Sequence, residues 1–261
     1  MRVLTDIAYC GQFITERKMD LFLPEKNETG GCILFIHGGG WVGGRKESWH
    51  AVAQHYAEQG YTCAAISYRL APRHRFPAQI EDVRRAMSYL KENAAQYSFS
   101  ADSIVTFGSS AGGYLAIMLA LMLPEDELGD TEGLTIRDTR PSAVVAYCPV
   151  TDLRMKRQFI LDFMGGPREE MPERYRMADP FERVCEVKTP FLIVQGDADE
   201  TTTLAQSQAF CDEVLRHGGI AELVVLPKVK HGFGYGTQTE AQQVAMRHVT
   251  AFLQNRVTSH A

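Results

Sequence analysis

Residues 103–123 read SIVTFGSSAGGYLAIMLALML. A short β-branched apolar run (103–107) leads into a longer apolar segment (111–123), a pattern typical of a buried strand followed by a helix. Between them GSSAG (108–112) matches G-x-S-x-G. In that context the pattern predicts a strained turn that lifts the Ser110 hydroxyl clear of the sheet, because small neighbours let the backbone turn without a clash. A packed glycine-rich turn is the alternative.

The same strand pattern recurs on both sides of this unit. Continuous apolar runs without polar alternation predict strands buried on both faces, and two alternating segments near the start predict edge strands. The predicted strands are 2–9, 17–23, 32–36, 62–67, 103–107, 143–148, 191–194 and 221–226, and helix-length segments lie at roughly 48–59, 78–97, 111–123, 203–217 and 239–255. Strands that alternate with helices predict an α/β fold with a mostly parallel, twisted sheet covered on both faces.

Residues 152–188 interrupt this alternation. They contain apolar residues, a Gly-Gly-Pro turn at 165–167 and a charged stretch, without any strand pattern. The segment is too long for an ordinary connection, so we expect a small lid insertion within one domain that spans 1–261.

Composition narrows the class of protein. The 261 residues are 45% hydrophobic and 23% charged, which excludes collagen-like, disordered and coiled-coil classes. A net charge of −5 argues against a nucleic-acid partner, which would need a clustered basic face. The six cysteines form no CxxC pair, so buried reduced thiols are expected. No apolar run approaches the ~20 residues of a membrane helix, and Asp6 stands where a signal peptide would be apolar; we expect a soluble, cytoplasmic protein without a membrane partner.

A second glycine-rich motif, HGGGW (37–41), directly follows the predicted strand 32–36. Its glycines leave backbone N–H groups unshielded, which suits an oxyanion hole. Gly38, Gly40 and Gly43 also satisfy the dinucleotide pattern G-x-G-x-x-G, but that site needs an acid at the end of the next strand, where the sequence is SYR (67–69). No Gly-Lys-Ser/Thr of a P-loop occurs there, and we predict no cofactor.

A serine nucleophile needs a base, and in this fold class the chain order is serine, acid, histidine. Four histidines follow Ser110. His217 ends a predicted helix, His248 lies within one and His260 lies in the tail, whereas His231 follows the last predicted strand and opens a glycine-rich loop. We therefore predict that His231 is the base.

The acid has three candidates. The strand 191–194 runs into QGDADE (195–200), where the tight turn at Gly196 should place Asp199 on the loop beyond the strand end. Asp197 is the alternative, with a turn-stabilising side chain as its other role. Asp152, after the strand 143–148, is a more distant candidate. No metal is predicted, because His50 and His55 are five residues apart rather than the four of H-E-x-x-H.

Taken together, the motifs resemble one family. HGGGW, SYRLAP (67–72), GSSAGG, GDADE and KHGFG are similar, in this order, to the α/β-hydrolases of the hormone-sensitive-lipase-like esterase and acetyl (xylan) esterase group, from about residue 18 to the last helix. The resemblance implies an α/β-hydrolase fold with Ser110 as nucleophile, Asp199 as acid and His231 as base. It also implies an oxyanion hole formed by the N–H groups of Gly39, Gly40 and Ala111, and gives Asp82 no catalytic role.

Two departures from the family pattern bear on the substrate. Ser109 stands where many lipase-like members carry an acid, and only about thirty residues precede the strand 32–36, where many members have a long cap. The short chain and the HGFG ending look more like the acetyl esterases of carbohydrates.

The sequence therefore predicts a serine carboxylesterase that acts through an acyl-enzyme on small, short-chain (acetyl-type) esters. We expect an apolar substrate pocket from Trp41, Phe159, Phe163 and Met164, with ordinary core packing as the alternative for all four. An amidase such as an arylformamidase, a peptidase on the same scaffold and a non-catalytic binding protein are the other hypotheses for function.

Overall fold

The computed structural model describes residues 1–11, 15–122, 126, 128–129, 134, 139–185 and 187–257. Within this part of the chain eight strands form one sheet in the order β1-β2-β4-β3-β5-β6-β7-β8. The strands are β1 (Arg2–Ala8), β2 (Lys18–Leu23), β3 (Cys32–Ile36), β4 (Thr62–Ile66), β5 (Ile104–Ser109), β6 (Ala143–Tyr147), β7 (Phe191–Gly196) and β8 (Ala221–Leu226).

Strands β3 to β8 pair in parallel, whereas β1 and β2 join the edge of the sheet antiparallel. Strands β3 to β7 are buried along their whole length, as their continuous apolar runs predict. The prediction of a mostly parallel sheet is confirmed.

Helices cover both faces of the sheet. The helix α1 (His50–Glu58) and the last helix, α8 (Glu240–Val257), pack on one face, and α2 (Ala78–Glu92), α3 (Ala111–Ala120) and α7 (Leu204–Arg216) pack on the other. One single-turn 3-10 helix at Lys46–Trp49 precedes α1. Each face thus buries its own apolar core, which is the layered arrangement that the alternation of strands and helices predicts.

Two predicted helices are shorter in the structure. The helix predicted at 78–97 ends at Glu92, where Asn93 takes the C-cap position and its side-chain amide donates to the carbonyl of Tyr89. The helix predicted at 111–123 ends at Ala120, and residue 123 lies outside the described residues. Apolar composition predicted helices that were too long at both places, because it contains no signal for the residue at which a helix ends.

The segment 152–188 contributes three short helices, α4 (Gln158–Met164), α5 (Pro172–Ala178) and α6 (Pro180–Arg183). Helix α4 ends at Gly165, whose φ of 90° suits glycine. From α4 the ring of Phe163 stacks on Trp41 with 4.0 Å between ring centroids. This contact holds the insertion beside the HGGGW loop. That the insertion moves as a lid stays a prediction.

A buried cluster of charges ties the N-terminal segment to α2. Asp82, fully buried, accepts hydrogen bonds from the backbone and guanidinium of Arg69 and pairs with Arg17 at 2.6 Å. Glu81 pairs with the same two arginines. The two carboxylates and the two guanidinium groups neutralise each other. The cluster therefore stabilises the packing of elements that are distant in sequence.

No helix in the described part of the chain is long and apolar enough to cross a bilayer.

Candidate active site

Ser110 occupies a strained turn between β5 and α3. Its φ of 53° and ψ of −117° lie in a region that side chains rarely adopt. The turn closes this tightly because Gly108 and Gly112 carry no side chain: a Cβ on Gly108 would lie 2.1 Å from the carbonyl oxygen of Gly112, and one on Gly112 would lie 2.1 Å from that of Ile36. The G-x-S-x-G spacing is thus imposed by contacts between the strand, the turn and the helix.

The structure joins Ser110, His231 and Asp199 in one hydrogen-bonded chain. The Oγ of Ser110 lies 2.9 Å from Nε2 of His231, and Nδ1 of His231 lies 2.7 Å from Oδ2 of Asp199. The three residues come from the loops that follow β5, β8 and β7, which leave the sheet at one edge because these strands run parallel. This arrangement fits a nucleophile, a general base and an orienting acid.

Several groups besides His231 hold the Asp199 carboxylate, which is fully buried. The backbone N–H groups of Thr201 and Thr202 donate to Oδ1 at 2.8 and 2.9 Å. The hydroxyl of Thr202 and the amide of Gln195 each donate to Oδ2 at 3.1 Å. Four donors fix the orientation of the carboxylate before any substrate binds.

The charged forms of Asp199 and His231 stabilise each other. Burial by itself would raise the pKa of Asp199, but the hydrogen bonds from His231 and from the N–H groups of Thr202 and Thr201 outweigh it and hold the pKa below its ordinary value. Burial would lower the pKa of His231, but Asp199 and the nearby Cys148 outweigh it and raise the pKa. An ionised Asp199 therefore favours the imidazolium form of His231.

The other two acid candidates have different partners. Asp197 accepts a hydrogen bond from the backbone N–H of Lys228 at 2.5 Å and thereby braces its turn against the loop after β8. Asp152 forms a two-point ion pair with Arg154, at 2.7 and 3.1 Å. Neither carboxylate is bonded to His231.

The HGGGW loop borders Ser110. A Cβ on Gly38 would lie 3.2 Å from the Cβ of Ser110. Gly39 and Gly40 have φ of 103° and 61°, so the loop depends on glycine at both positions. In the described part of the chain their N–H groups donate no backbone hydrogen bond, while the carbonyl of Gly39 accepts two from residues 42 and 43. Ala111 opens α3, so its N–H has no partner within the helix.

The four predicted pocket residues separate into two groups. Trp41, Phe163 and Met164 are fully buried in the core, which favours the core-packing alternative for these three. Phe159 is only partly buried and lies directly against Gly40: a Cβ on that glycine would approach the Cβ of Phe159 to 2.9 Å. Phe159 is thus the predicted pocket residue that keeps some exposed surface and lies beside Gly40.

Sequence reasoning missed four residues at this site: Gln195, Thr202, Cys148 and Tyr235. The first two hold Asp199, and the Tyr235 hydroxyl accepts the Gly38 N–H at 2.6 Å. Their partners lie elsewhere in the chain or on the same turn, and no motif marks them.

One group of potential metal ligands occurs among the described residues, formed by Cys148, Asp199 and His231 with ligand atoms within 4.8 Å of one another. In this group Asp199 and His231 are already hydrogen-bonded to each other.

A known protein family matches most of this chain. A family model described as BD-FAE matches residues 19–214, three quarters of the chain, including the Ser110 turn, the HGGGW loop and Asp199. The chain belongs to the BD-FAE family. His231 lies beyond the matched range, so its position at the site comes from the tertiary structure.

Curated relatives of this BD-FAE chain are named as esterases. Esterase LipQ of Mycobacterium tuberculosis is 30% identical over 224 residues, covering 82% of this chain and 52% of LipQ. The probable carboxylic ester hydrolase LipM of the same organism is 30% identical over 271 residues, covering 98% and 62%. The ethyl acetate hydrolase of Pseudomonas putida is 28% identical over 82% of this chain and 70% of its own. The chain thus spans about half to three fifths of the length of the mycobacterial relatives.

A solved structure with the same fold is a truncated carbohydrate esterase from gut microbiota. It superposes with a TM-score of 0.85 at 21% identity, covering 99% of this chain and 97% of that one. The expected α/β-hydrolase fold and the resemblance to esterases of this group are confirmed.

Proposed function

We propose that this chain is a serine carboxylesterase that hydrolyses short-chain, acetyl-type esters through an acyl-enzyme. Ser110 is the nucleophile, His231 the general base and Asp199 the orienting acid. The observation that carries the proposal is the hydrogen-bonded chain from Ser110 Oγ through His231 to the buried Asp199 carboxylate, at 2.9 and 2.7 Å. It lies next to the HGGGW loop, where the N–H groups of Gly39 and Gly40 donate no backbone hydrogen bond in the described part of the chain.

Acylation follows from this geometry. Nε2 of His231 accepts the proton of the Ser110 hydroxyl as Oγ forms a bond to the ester carbonyl carbon. The carbonyl oxygen becomes an oxyanion, which the N–H groups of Gly39, Gly40 and Ala111 stabilise by hydrogen bonds. The imidazolium then donates its proton to the alcohol oxygen as the C–O bond breaks, and the acyl group stays on Ser110.

Deacylation repeats the same steps with water. Neutral His231 accepts a proton from a water molecule whose oxygen attacks the acyl carbon, and the proton returns to Ser110 Oγ when the carboxylic acid leaves. Asp199 keeps its charge throughout and stabilises the imidazolium twice in each cycle. Its four other hydrogen bonds support this role because they keep the carboxylate in place while the histidine proton moves.

Two observations support esters with small acyl groups. Phe159 lies against Gly40, so its ring narrows the space beside the proposed oxyanion hole. Among the relatives, the Pseudomonas enzyme is named for hydrolysis of an acetate ester, and two mycobacterial relatives are named simply as esterases. No contact among the described residues favours an amide over an ester, so the amidase hypothesis is one outcome of the test.

The test is a substrate panel applied to the native chain and to Ser110→Ala. The panel holds p-nitrophenyl esters from acetyl to octanoyl, acetylated sugars and N-formyl aryl amides. We expect turnover of the acetyl esters by the native chain and loss of it in Ser110→Ala. Preferred turnover of the formyl amides would replace the proposal with an amidase. Absence of both turnover and labelling by a fluorophosphonate probe would indicate a binding protein.

A further inference from the structure

Two tyrosines hold a single peptide group at the start of the HGGGW loop, the one that joins His37 to Gly38. At one end the Tyr68 hydroxyl donates to the carbonyl of His37 at 2.8 Å. At the other end the N–H of Gly38 donates to the Tyr235 hydroxyl at 2.6 Å. A peptide group is planar, so bonds at both ends fix the orientation of the whole plane.

Tyr235 reaches this peptide from a distant part of the chain. It lies four residues after His231 and 197 residues after Gly38. A Cβ on Gly38 would lie 2.8 Å from the Tyr235 hydroxyl and 3.2 Å from the Cβ of Ser110. Gly38 therefore lies between the Tyr235 hydroxyl and the Ser110 turn, where only a residue without a side chain fits.

The bond also determines which N–H groups stay free. Gly38 is buried, and a buried N–H without a partner is destabilising because it has lost its hydrogen bonds to water, so this donor needs an acceptor. The Tyr235 hydroxyl supplies it. The next two N–H groups, of Gly39 and Gly40, donate no backbone hydrogen bond in the described part of the chain and are the proposed oxyanion donors. Because the three residues are consecutive, rotation of the peptide that joins His37 to Gly38 would move both of these N–H groups relative to Ser110.

We propose that Tyr235 is a positioning residue for the esterase reaction: its hydroxyl sets the plane of the peptide that joins His37 to Gly38, and through it the oxyanion donors of Gly39 and Gly40. The inference rests on the proposed function. Because Tyr235 belongs to the same loop as His231, it also ties the oxyanion donors to the position of the base.

The chain offers a clean variant and a matched control. The Tyr235 ring packs edge-on against Trp49, with 4.9 Å between centroids, so Tyr235→Phe keeps the ring contact and removes only the hydroxyl. Tyr147 lies 6.4 Å from the same tryptophan, and its buried hydroxyl has no hydrogen-bond partner among the described residues. Tyr147→Phe therefore removes a hydroxyl from the same aromatic cluster without loss of a bond.

The experiment measures kcat and KM for p-nitrophenyl acetate, the melting temperature, and the inhibition constant of an aryl trifluoromethyl ketone. This ketone adds to an active-site serine, and its oxyanion needs the oxyanion donors. Loss of an oxyanion donor costs about 10²–10³ in kcat, and a misplacement of the catalytic groups by 1 Å can cost about 10². For Tyr235→Phe we expect kcat to fall by about 10- to 100-fold with KM nearly unchanged, and ketone binding to weaken by a similar factor. Tyr147→Phe should match the native chain in kcat, KM, melting temperature and ketone binding.

A structural role alone gives a different result. If Tyr235→Phe lowered the melting temperature while kcat and ketone binding of the folded protein matched those of Tyr147→Phe, the inference would be wrong. The Ser110→Ala control separates the two proposals: with native turnover that depends on Ser110, the result for Tyr235→Phe decides the inference alone. Without any native turnover or serine labelling, the proposed function and this inference both fail.

Discussion

Asp199 and Asp197 lie two residues apart on the loop after β7, and their carboxylates bond to different parts of the chain. Asp199 lies 2.7 Å from the imidazole of His231, whereas Asp197 accepts the backbone N–H of Lys228. The sequence favours Asp199, because the tight turn at Gly196 should place it on the loop beyond the strand end, and keeps Asp197 as the alternative. The tertiary structure places only one of them against the histidine.

The first prediction compares these two acids. Asp199→Asn should keep the shape of the site but present an amide to His231, so the imidazole takes the wrong tautomer; we expect a loss on the order of 10⁴ in kcat. Asp197→Asn should weaken the turn that Asp197 stabilises and lower the free energy of unfolding by about 1 kcal/mol. The kcat of the folded protein should be nearly unchanged. The measurement is kcat at neutral pH beside a urea unfolding curve for each variant. A reversed result would move the acid to Asp197, and full activity in both variants would make Asp152 the next candidate.

The second prediction concerns the nucleophile. Ser110→Ala should fold normally and lose about 10⁴ to 10⁶ in kcat, because no other hydroxyl is bonded to His231 Nε2 in the described structure. Ser109→Ala, in the neighbouring position, should retain most of the turnover. Mass spectrometry after fluorophosphonate treatment should find the label on Ser110. A label on Ser109 would contradict the assigned turn.

The third prediction concerns pH. Turnover needs neutral His231, and Asp199 together with Cys148 raises the pKa of that imidazole above its ordinary value of 6.5. We therefore expect kcat/KM to increase with pH through a limb whose midpoint lies above 6.5. Asp199→Asn removes the largest source of the increase, so the limb of its residual activity should move to lower pH. A limb below 6.5 in the native chain, or an upward move in the variant, would contradict this account.

The fourth prediction concerns acyl length. Phe159 narrows the space beside Gly40, so kcat/KM of the native chain should be highest for acetyl or propionyl esters. Phe159→Ala should increase the relative turnover of butyryl and hexanoyl esters, because each methylene that finds an apolar surface contributes about 0.8 kcal/mol. Leu161→Ala, on an exposed position of the same helix, is the control. A steady increase in kcat/KM from acetyl to octanoyl in the native chain would argue against a short acyl site.

The fifth prediction tests the buried charge cluster. Asp82→Asn leaves Arg17 and Arg69 with one carboxylate fewer in a buried place, and removal of one partner of a buried ion pair costs about 3–5 kcal/mol. Turnover of the folded fraction should not change, since the hydrogen bonds and ion pairs described for Asp82 go to Arg17 and Arg69 and not to the triad or the HGGGW loop. Glu28→Gln, in an exposed pair with Lys26, should cost less than about 0.5 kcal/mol. A selective loss of kcat in Asp82→Asn would give this residue a role in the site.

Much of the fold follows from local sequence. The apolar runs of β3 to β7 and the strand-turn-helix unit around Ser110 are readable because burial on both faces and the tight turn each restrict residue type over a few positions. The ends of α2 and α3 are harder to predict from the sequence, since the last turn of a helix depends on capping contacts rather than on apolar composition.

Local sequence was sufficient to predict the class of sheet, the glycine-dependent turns and the chain order of serine, acid and histidine. Local sequence also favoured Asp199 as the acid, and the folded chain bonds its carboxylate to His231. Which aromatic residues are core, which one borders Gly40 and which hydroxyl accepts the N–H of Gly38 depend on how distant segments pack together. The physical reason is distance along the chain. A strand or a tight turn is specified by neighbours within a few residues, whereas these contacts join groups 32 to 197 positions apart, and only the packed sheet brings them to one edge.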